Sequence, residues 1–231
     1  MKTILITGNR KGIGRYLSEK LLEQGYFVVG CSRSESDLVN KNYFHSTCDV
    51  SDSEEIIKFF KILRIKKISI DILINNAGIA SMNHFITTPS KTSENIFDIN
   101  FQGTLNFSKY SSKMMMKKKW GRIINFSTVA VPLNLEGELS YAASKAAVEI
   151  ASRVMSKELG SFGITVNSIG PNPINTDLIK TLSKDKIANL MANQSIKRLG
   201  EFEDIYNIVR FYISEESNFI NGQNLYLGGI C

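Results

Sequence analysis

Tyr141 and Lys145 stand four residues apart in Tyr141-Ala142-Ala143-Ser144-Lys145, and the chain continues as Ala146-Ala147-Val148-Glu149-Ile150-Ala151. That run reads as helix, and i, i+4 spacing on a helix puts phenol and ammonium on one face, within mutual reach. A phenol titrates near pH 10 and is a poor acid-base group at neutrality, but a nearby fixed cation favours the phenolate and lowers that value. Proton transfer to a carbonyl oxygen is the chemistry such a pair offers. Spacing alone proves little, because Tyr16 and Lys20 repeat it where one surface-facing helical turn is a sufficient reading. What distinguishes the later pair is its company. The apolar strand Arg122-Ile123-Ile124-Asn125-Phe126 precedes it and ends in two hydroxyls, Ser127 and Thr128. Neighbours on a strand point to opposite faces, so only one of the two can share the face that Tyr141 approaches.

The remaining elements must bring a second reactant to those groups. Ile4-Leu5-Ile6 is short and apolar, as in a buried parallel strand, and runs into Thr7-Gly8-Asn9-Arg10-Lys11-Gly12-Ile13-Gly14 before a helical pattern at Ile13, Leu17, Leu21 and Leu22. A glycine turn by itself is often only a turn. Between a strand and a helix, Gly8, Gly12 and Gly14 permit close backbone approach while the helix offers free N–H groups to a pyrophosphate. The spacing differs from the common G-x-G-x-x-G fingerprint. Gly25 ends the helix, and Tyr26-Phe27-Val28-Val29-Gly30-Cys31 reads as the second strand. At its end a dinucleotide site holds an acid for the adenosine ribose or an arginine for a 2′-phosphate. Here Ser32-Arg33 follows, with no acid until Glu35, and Lys11 and Arg10 add positive charge from the glycine turn. These residues select NADP(H) over NAD(H), against the plainer reading of solvated loop charges.

Further along, residues 43–48 read as a strand, and Asp49 at its end is a candidate for adenine contact, followed by Val50 and a helix over 52–67 capped by Ser51 or Ser53. The strand over 70–74 ends in Asn75-Asn76-Ala77-Gly78, small and amide residues over which a cofactor can lie. A long helix is expected over 93–117 with Ile96, Phe97, Phe101, Leu105 and Phe107 inward; Asn100 in its middle is unfavourable and so informative. After the helix that carries Tyr141 come a strand over 164–169, a rigid loop from Gly170 to Thr176, mixed helical sequence over 176–199 able to lie over a pocket, an amphipathic helix over 203–213 and a last strand at 224–227.

At 231 residues the chain fits one α/β domain, 1–231. Hydrophobic residues make up 43%, charged residues 22%, and no apolar run approaches the roughly 20 residues of a membrane span. The short apolar run at the N-terminus is not a signal sequence, which points to a cytoplasmic protein. Three cysteines without C-x-x-C spacing and two histidines suggest neither a disulfide frame nor a metal site. The net charge of +6 is spread along the chain rather than gathered into an arm, favouring an anionic small molecule over nucleic acid.

Taken in order, Thr7-Gly8-x-x-x-Gly12-Ile13-Gly14, Asn75-Asn76-Ala77-Gly78, Asn100, a hydroxyl before Tyr141, and Tyr141-x-x-x-Lys145 resemble the short-chain dehydrogenase/reductase family over nearly the whole chain. Within it the sequence is most similar to bacterial 3-oxoacyl-(acyl-carrier-protein) reductases, particularly from Thr176 through Lys197-Arg198-Leu199-Gly200 to Asn221-Gly222-Gln223. The resemblance implies a doubly wound parallel sheet of Rossmann type with helices on both faces. It also implies a homotetramer built through the long helices and the C-terminal strand, with a homodimer as the alternative. Carried onto this chain, Tyr141 donates the proton, Lys145 lowers its pKa and binds the nicotinamide ribose, and Asn100 holds a water that relays protons to Lys145. The substrate-orienting hydroxyl, thirteen residues before the tyrosine, falls on Thr128, where the family has serine. Implied cofactor contacts extend from Gly8, Ile13, Ser32 and Val50 to Asn76, Ala77, Gly78, Pro171 and Thr176. Asn172 stands where the family usually has glycine, and of two basic positions associated with docking an acidic carrier protein one is Lys119 and the other falls on Phe162. The expected reaction is NADPH-dependent reduction of a small-molecule or carrier-bound carbonyl. Reduction of a sugar or another small carbonyl compound is the runner-up, and a catalytically silent dinucleotide-binding regulator is a third reading, against which the joint retention of Asn100, Tyr141 and Lys145 argues.

Overall fold

The computed structural model describes residues 1–174 and 191–230. Seven strands form one parallel sheet: β1 Thr3–Thr7, β2 Phe27–Ser32, β3 Tyr43–Thr47, β4 Ile72–Asn75, β5 Gly121–Phe126, β6 Ile164–Gly170 and β7 Asn224–Tyr226, in the order β3-β2-β1-β4-β5-β6-β7. Parallel strands need long crossovers, supplied here by α1 Gly12–Glu23, α2 Ser53–Ile65, α3 Ser90–Phe97 continuing into α4 Gly103–Lys118, α6 Leu139–Leu159 after the short α5 Ala130–Leu133, and α7 Phe202–Ile213. The strand order reverses between β1 and β4, and a crevice at such a switch point is where open α/β sheets bind ligands.

Both faces of the sheet are buried, which is why the strands read as continuous apolar runs rather than as alternation. Ile4 and Ile6 of β1 face one way, with Val28, Ile74, Ile124 and Ile169, against Leu17 and Leu21 of α1 and Ile205 and Val209 of α7. Leu5 faces the other way, with Val29, Leu73, Ile123 and Val166, against Ile56, Phe59 and Leu63 of α2 and Phe107 of α4. A polar seam crosses the second layer. Asn75 Nδ2 donates to Asn125 Oδ1 at 2.8 Å and Ser108 Oγ at 3.0 Å, and Asn125 Nδ2 donates to Ser152 Oγ at 2.8 Å, joining β4, β5, α4 and α6 below the strand ends that carry the site.

Two expectations are corrected. Neither Ser51 nor Ser53 caps α2; Asp52 does, accepting from the Glu54 and Glu55 amides, because a carboxylate reaches the orphan N–H groups and suits the positive end of the helix. The single helix expected over 93–117 runs from Ser90 to Lys118 and is interrupted by a π turn at Asp98–Gln102. Of the helical sequence over 176–199, residues 176–190, Thr176 included, lie outside the described residues. Among the described residues no helix is long and apolar enough to cross a membrane, and no group of three or more His, Cys, Asp or Glu side chains is placed to hold a metal ion.

Candidate active site

The loops leaving β1, β4, β5 and β6 and the first turn of α6 enclose a cavity of about 310 Å³. Ile13, Asn76, Gly78, Thr128, Tyr141, Lys145 and Pro171 line it. Tyr141 is half-buried and Lys145 is buried one turn below it. Thr128 stands at the Tyr141 hydroxyl and favours its phenolate form, and its Oγ1 accepts from the Ala130 amide at 3.2 Å. Ser127, which also lines the cavity, turns its hydroxyl to Glu149 of α6, the helix that carries Tyr141. β5 ends at Phe126, so the two hydroxyls stand in the loop beyond it, Thr128 toward the phenol and Ser127 toward Glu149.

The electrostatics differ from the expectation that Lys145 pulls the phenol down. Burial pushes Tyr141 up to about 12, only partly offset by the Thr128 hydrogen bond. Burial likewise pushes Lys145 down to about 8, and its Nζ donates to Phe126 O at 2.7 Å. The ammonium is tied to the strand end, and desolvation of the phenol is the larger influence.

Asn100 explains the π turn. Its amide donates to Ile79 O at 2.9 Å and Ser144 Oγ at 3.0 Å, and its Oδ1 accepts from the Ile79 amide at 2.9 Å. Both side-chain ends are therefore engaged by protein, and its main-chain carbonyl accepts from Thr104 Oγ1 at 2.7 Å. In this arrangement Asn100 braces the loop after β4 against Ser144, whose hydroxyl in turn donates to Tyr141 O at 2.7 Å. Wide π turns recur at functional sites because they redirect one side chain without ending the helix.

The glycine turn fits a dinucleotide pyrophosphate. Gly8 has φ +69°, and a Cβ on Gly14 would lie 2.5 Å from Gly8 O and 2.6 Å from Asn76 Nδ2. Turn and β4 loop are laced together, Asn76 Nδ2 donating to Thr7 O at 2.9 Å and Gly8 O at 3.1 Å, with Thr7 Oγ1 accepting from the Asn76 and Ala77 amides. The first turn of α1 has neither a side-chain cap nor an acidic residue, leaving its positive end for an anion. Beyond the cavity, at the β2 and β3 edge, Arg10, Lys11 and Arg33 are exposed around Ser32. Asp49 Oδ1 accepts from the Ser51 amide and hydroxyl, while Val50 is buried against Gly103. Tyr16, in the comparison pair, donates to Glu203 and stacks on Phe202, with Lys20 turned to Glu23.

A family profile described as "Enoyl-(Acyl carrier protein) reductase" matches residues 7–229. The chain is 35% identical to a 3-oxoacyl-(acyl-carrier-protein) reductase of Buchnera aphidicola subsp. Schizaphis graminum, over 99% of this chain and 96% of the relative. It belongs to the short-chain dehydrogenase/reductase family. The Escherichia coli K12 reductase of the same description is 34% identical over the same shares. Among solved structures, this short-chain dehydrogenase/reductase superposes on a 4-hydroxyisoleucine dehydrogenase complexed with NADH (TM-score 0.93, 28% identity, covering 99% of this chain and 98% of that one). It also superposes on a gluconate 5-dehydrogenase from Burkholderia cenocepacia J2315 in complex with NADP and tartrate (TM-score 0.91, 25% identity, 99% and 94%). Short-chain dehydrogenases/reductases are oxidoreductases that bind a nicotinamide dinucleotide.

Three residues that place the site were not singled out by sequence reasoning. Thr7 and Ser144 sit inside motifs already noticed, and their hydroxyl types were the available signal. Glu149 gave none: it reads as an exposed helix charge, yet it is buried and accepts from Tyr226 at 2.7 Å as well as from Ser127. Asn172 also lines the cavity, its Nδ2 donating to Gln194 Oε1 at 2.8 Å while its buried Oδ1, packed against Gly200, has no partner among the described residues. Lys119 precedes β5 and so stands at the opposite end of that strand from Thr128, and Phe162 is half-buried against the second core layer.

Proposed function

We propose that this short-chain dehydrogenase/reductase uses NADPH to reduce a carbonyl to an alcohol, with a 3-oxoacyl chain as substrate. The observation that carries the reading is that Thr128, Tyr141 and Lys145 line one cavity together with Ile13 of the glycine turn and Asn76 and Gly78 of the β4 loop. When bound, the cofactor supplies hydride to the carbonyl carbon. Thr128 orients the carbonyl oxygen through its hydroxyl. Tyr141, protonated at neutral pH, gives its proton to that oxygen as charge develops, and the Lys145 ammonium one turn away stabilises the phenolate left behind. Asn100 holds the loop and the turn of α6 on which these groups stand, and Ile13, Asn76, Gly78 and Pro171 form the wall for the nicotinamide.

For the cofactor, support comes from the acids after β2. Glu35 faces His45 and Asp37 is paired with Arg15, whereas Arg10 and Arg33 are exposed beside Ser32, suiting a 2′-phosphate. For the substrate, Ile79, Met82, Val129, Leu135 and Ile174 give the cavity an apolar wall that fits an acyl chain better than a polyhydroxylated sugar, and the curated relatives point the same way. The sugar reading draws its support from the gluconate dehydrogenase structures. We infer a homotetramer, with a homodimer as the alternative, from exposed Ile150 and Val154 on α6 and Leu225 on β7. The test follows NADPH absorbance with an acetoacetyl thioester, keto sugars and simple ketones. Turnover of the thioester above the others is expected; turnover of a keto sugar alone would overturn the acyl reading and leave the reductase.

A further inference from the structure

Three side chains at the adenosine end of the cleft have no part in the carbonyl chemistry. Ser32 ends β2, Glu35 lies in the loop after it, and His45 stands on β3, opposite Gly30. Ser32 Oγ lies 2.9 Å from His45 Nε2, and His45 Nδ1 lies 3.4 Å from Glu35 Oε2. Hydrogen-bond directions follow from Ser32. Its single proton goes to Ser34 O at 2.8 Å, so the ring must be the donor to Oγ and carries a proton on Nε2. In the neutral ring Nδ1 then holds only a lone pair and faces a carboxylate that can only accept. Among the described residues the buried Nδ1 makes no hydrogen bond of good geometry. A second proton on Nδ1 would turn that contact into a charge-assisted hydrogen bond.

Burial holds the imidazole below its ordinary range and Glu35 pulls it back up. The other charges nearby are committed elsewhere or exposed: Arg15 of α1 is held by Glu19 and Asp37, Arg10 of the glycine turn acts on Asp37, and Arg33 points to solvent. Tyr43, on the same face of β3 with its ring centroid 6.3 Å away, accepts from Asn9 at 2.6 Å. An additional anion beside Ser32 would tip the ring toward its charged form.

We propose that His45 is a positioning residue for a 2′-phosphate: it takes up a second proton, on Nδ1, when a phosphate dianion settles on Ser32 and Arg33, and its Nε2–H, which donates to Ser32 Oγ in either state, keeps the Ser32 hydroxyl proton outward and able to turn from Ser34 O to that phosphate. This rests on the NADPH reading and adds to it a coupling between cofactor choice and pH. By linkage, a ligand that prefers the protonated ring raises the ring's pKa and binds more tightly as pH falls.

Binding of 2′,5′-ADP and 5′-AMP, which differ by that phosphate, isolates the coupling without turnover. The protein has two histidines, so the imidazole proton resonances of His45 can be followed by NMR once exposed His84 is assigned with H84Q. Saturating 2′,5′-ADP is expected to raise the His45 pKa by about one unit, a shift equivalent to about tenfold in affinity, with 5′-AMP leaving it in place. Calorimetry from about pH 8 to about pH 6, the range an imidazole spans, should show the preference for 2′,5′-ADP growing more steeply in the wild type than in His45→Gln, which keeps a donor but cannot titrate. Titration of the phosphate itself enters both slopes equally. Preference for 2′,5′-ADP with an unmoved His45 pKa would overturn the inference and leave the NADPH reading intact. Equal binding of the two nucleotides at every pH would overturn both.

Discussion

Thr128 and Ser127 are adjacent hydroxyls with unequal surroundings, and the difference decides what each can do. Both line the cavity, but Thr128 is directed to Tyr141 and the Ser127 hydroxyl to the buried Glu149. Thr128→Val keeps shape and branching while deleting the hydroxyl, so it should lower kcat/KM for the carbonyl substrate by about 10²-fold or more, as when one donor to a developing oxyanion is removed, and leave NADPH binding unchanged. Ser127→Ala should instead lower thermal stability, because it takes a donor from a buried carboxylate. Steady-state kinetics and melting curves on the two variants separate these outcomes; an active Thr128→Val with a dead Ser127→Ala would mean that Ser127 is the hydroxyl the chemistry uses. The threonine methyl group restricts χ1 and fills space next to the tyrosine, so Thr128→Ser should stay active and accept bulkier ketones.

Strands and helices were legible because hydrophobic period and turn residues act locally, and β1, β2 and β5 follow their apolar runs to within a residue or two. What sequence could not reveal depends on partners distant in the chain. The π turn forms because Asn100 finds Ile79 and Ser144, and Glu149 is buried because β7 brings Tyr226 to it. The raised phenol follows from how deeply α6 seats Tyr141, which no i, i+4 spacing encodes. The glycine turn lies between these cases: the residue type was visible, its reason was not. At Gly14 the constraint is the β4 loop, since any Cβ collides with Asn76 and with Gly8 O. Gly14→Ala should therefore separate the turn from Asn76 and weaken binding of NADPH and NADH alike by about tenfold or more, the two being equal below the 2′ position. Fluorescence titration with both cofactors checks this, and unchanged affinity would show that the turn adapts.

Across the whole molecule the two ends of the sheet have separate tasks. The C-terminal ends of the strands carry the cavity; the N-terminal edge carries a buried Arg122 whose guanidinium donates to Gly121 O at 2.9 Å and Ser214 O at 3.3 Å and lies 4.5 Å from the Trp120 ring. Lys2 lies over the other part of that cluster, 3.6 Å from the same ring. Arg122→Ala strips the partners from buried carbonyls and should cost about 2–4 kcal/mol of stability, with kcat/KM intact at temperatures where the variant is folded; a large kinetic defect there would join the two ends. The strand order has a consequence for how the chain acquires its activity. β1 and β4 pair although they lie far apart in sequence, and the nucleotide cradle closes only when they do. Pairing across so long an interval is slow because the entropy of closing the chain comes before the contacts that reward it. A nicotinamide dinucleotide present during refolding should therefore find no binder until the late step is over: it is expected to slow unfolding and raise the melting temperature, and to leave the folding rate where it was.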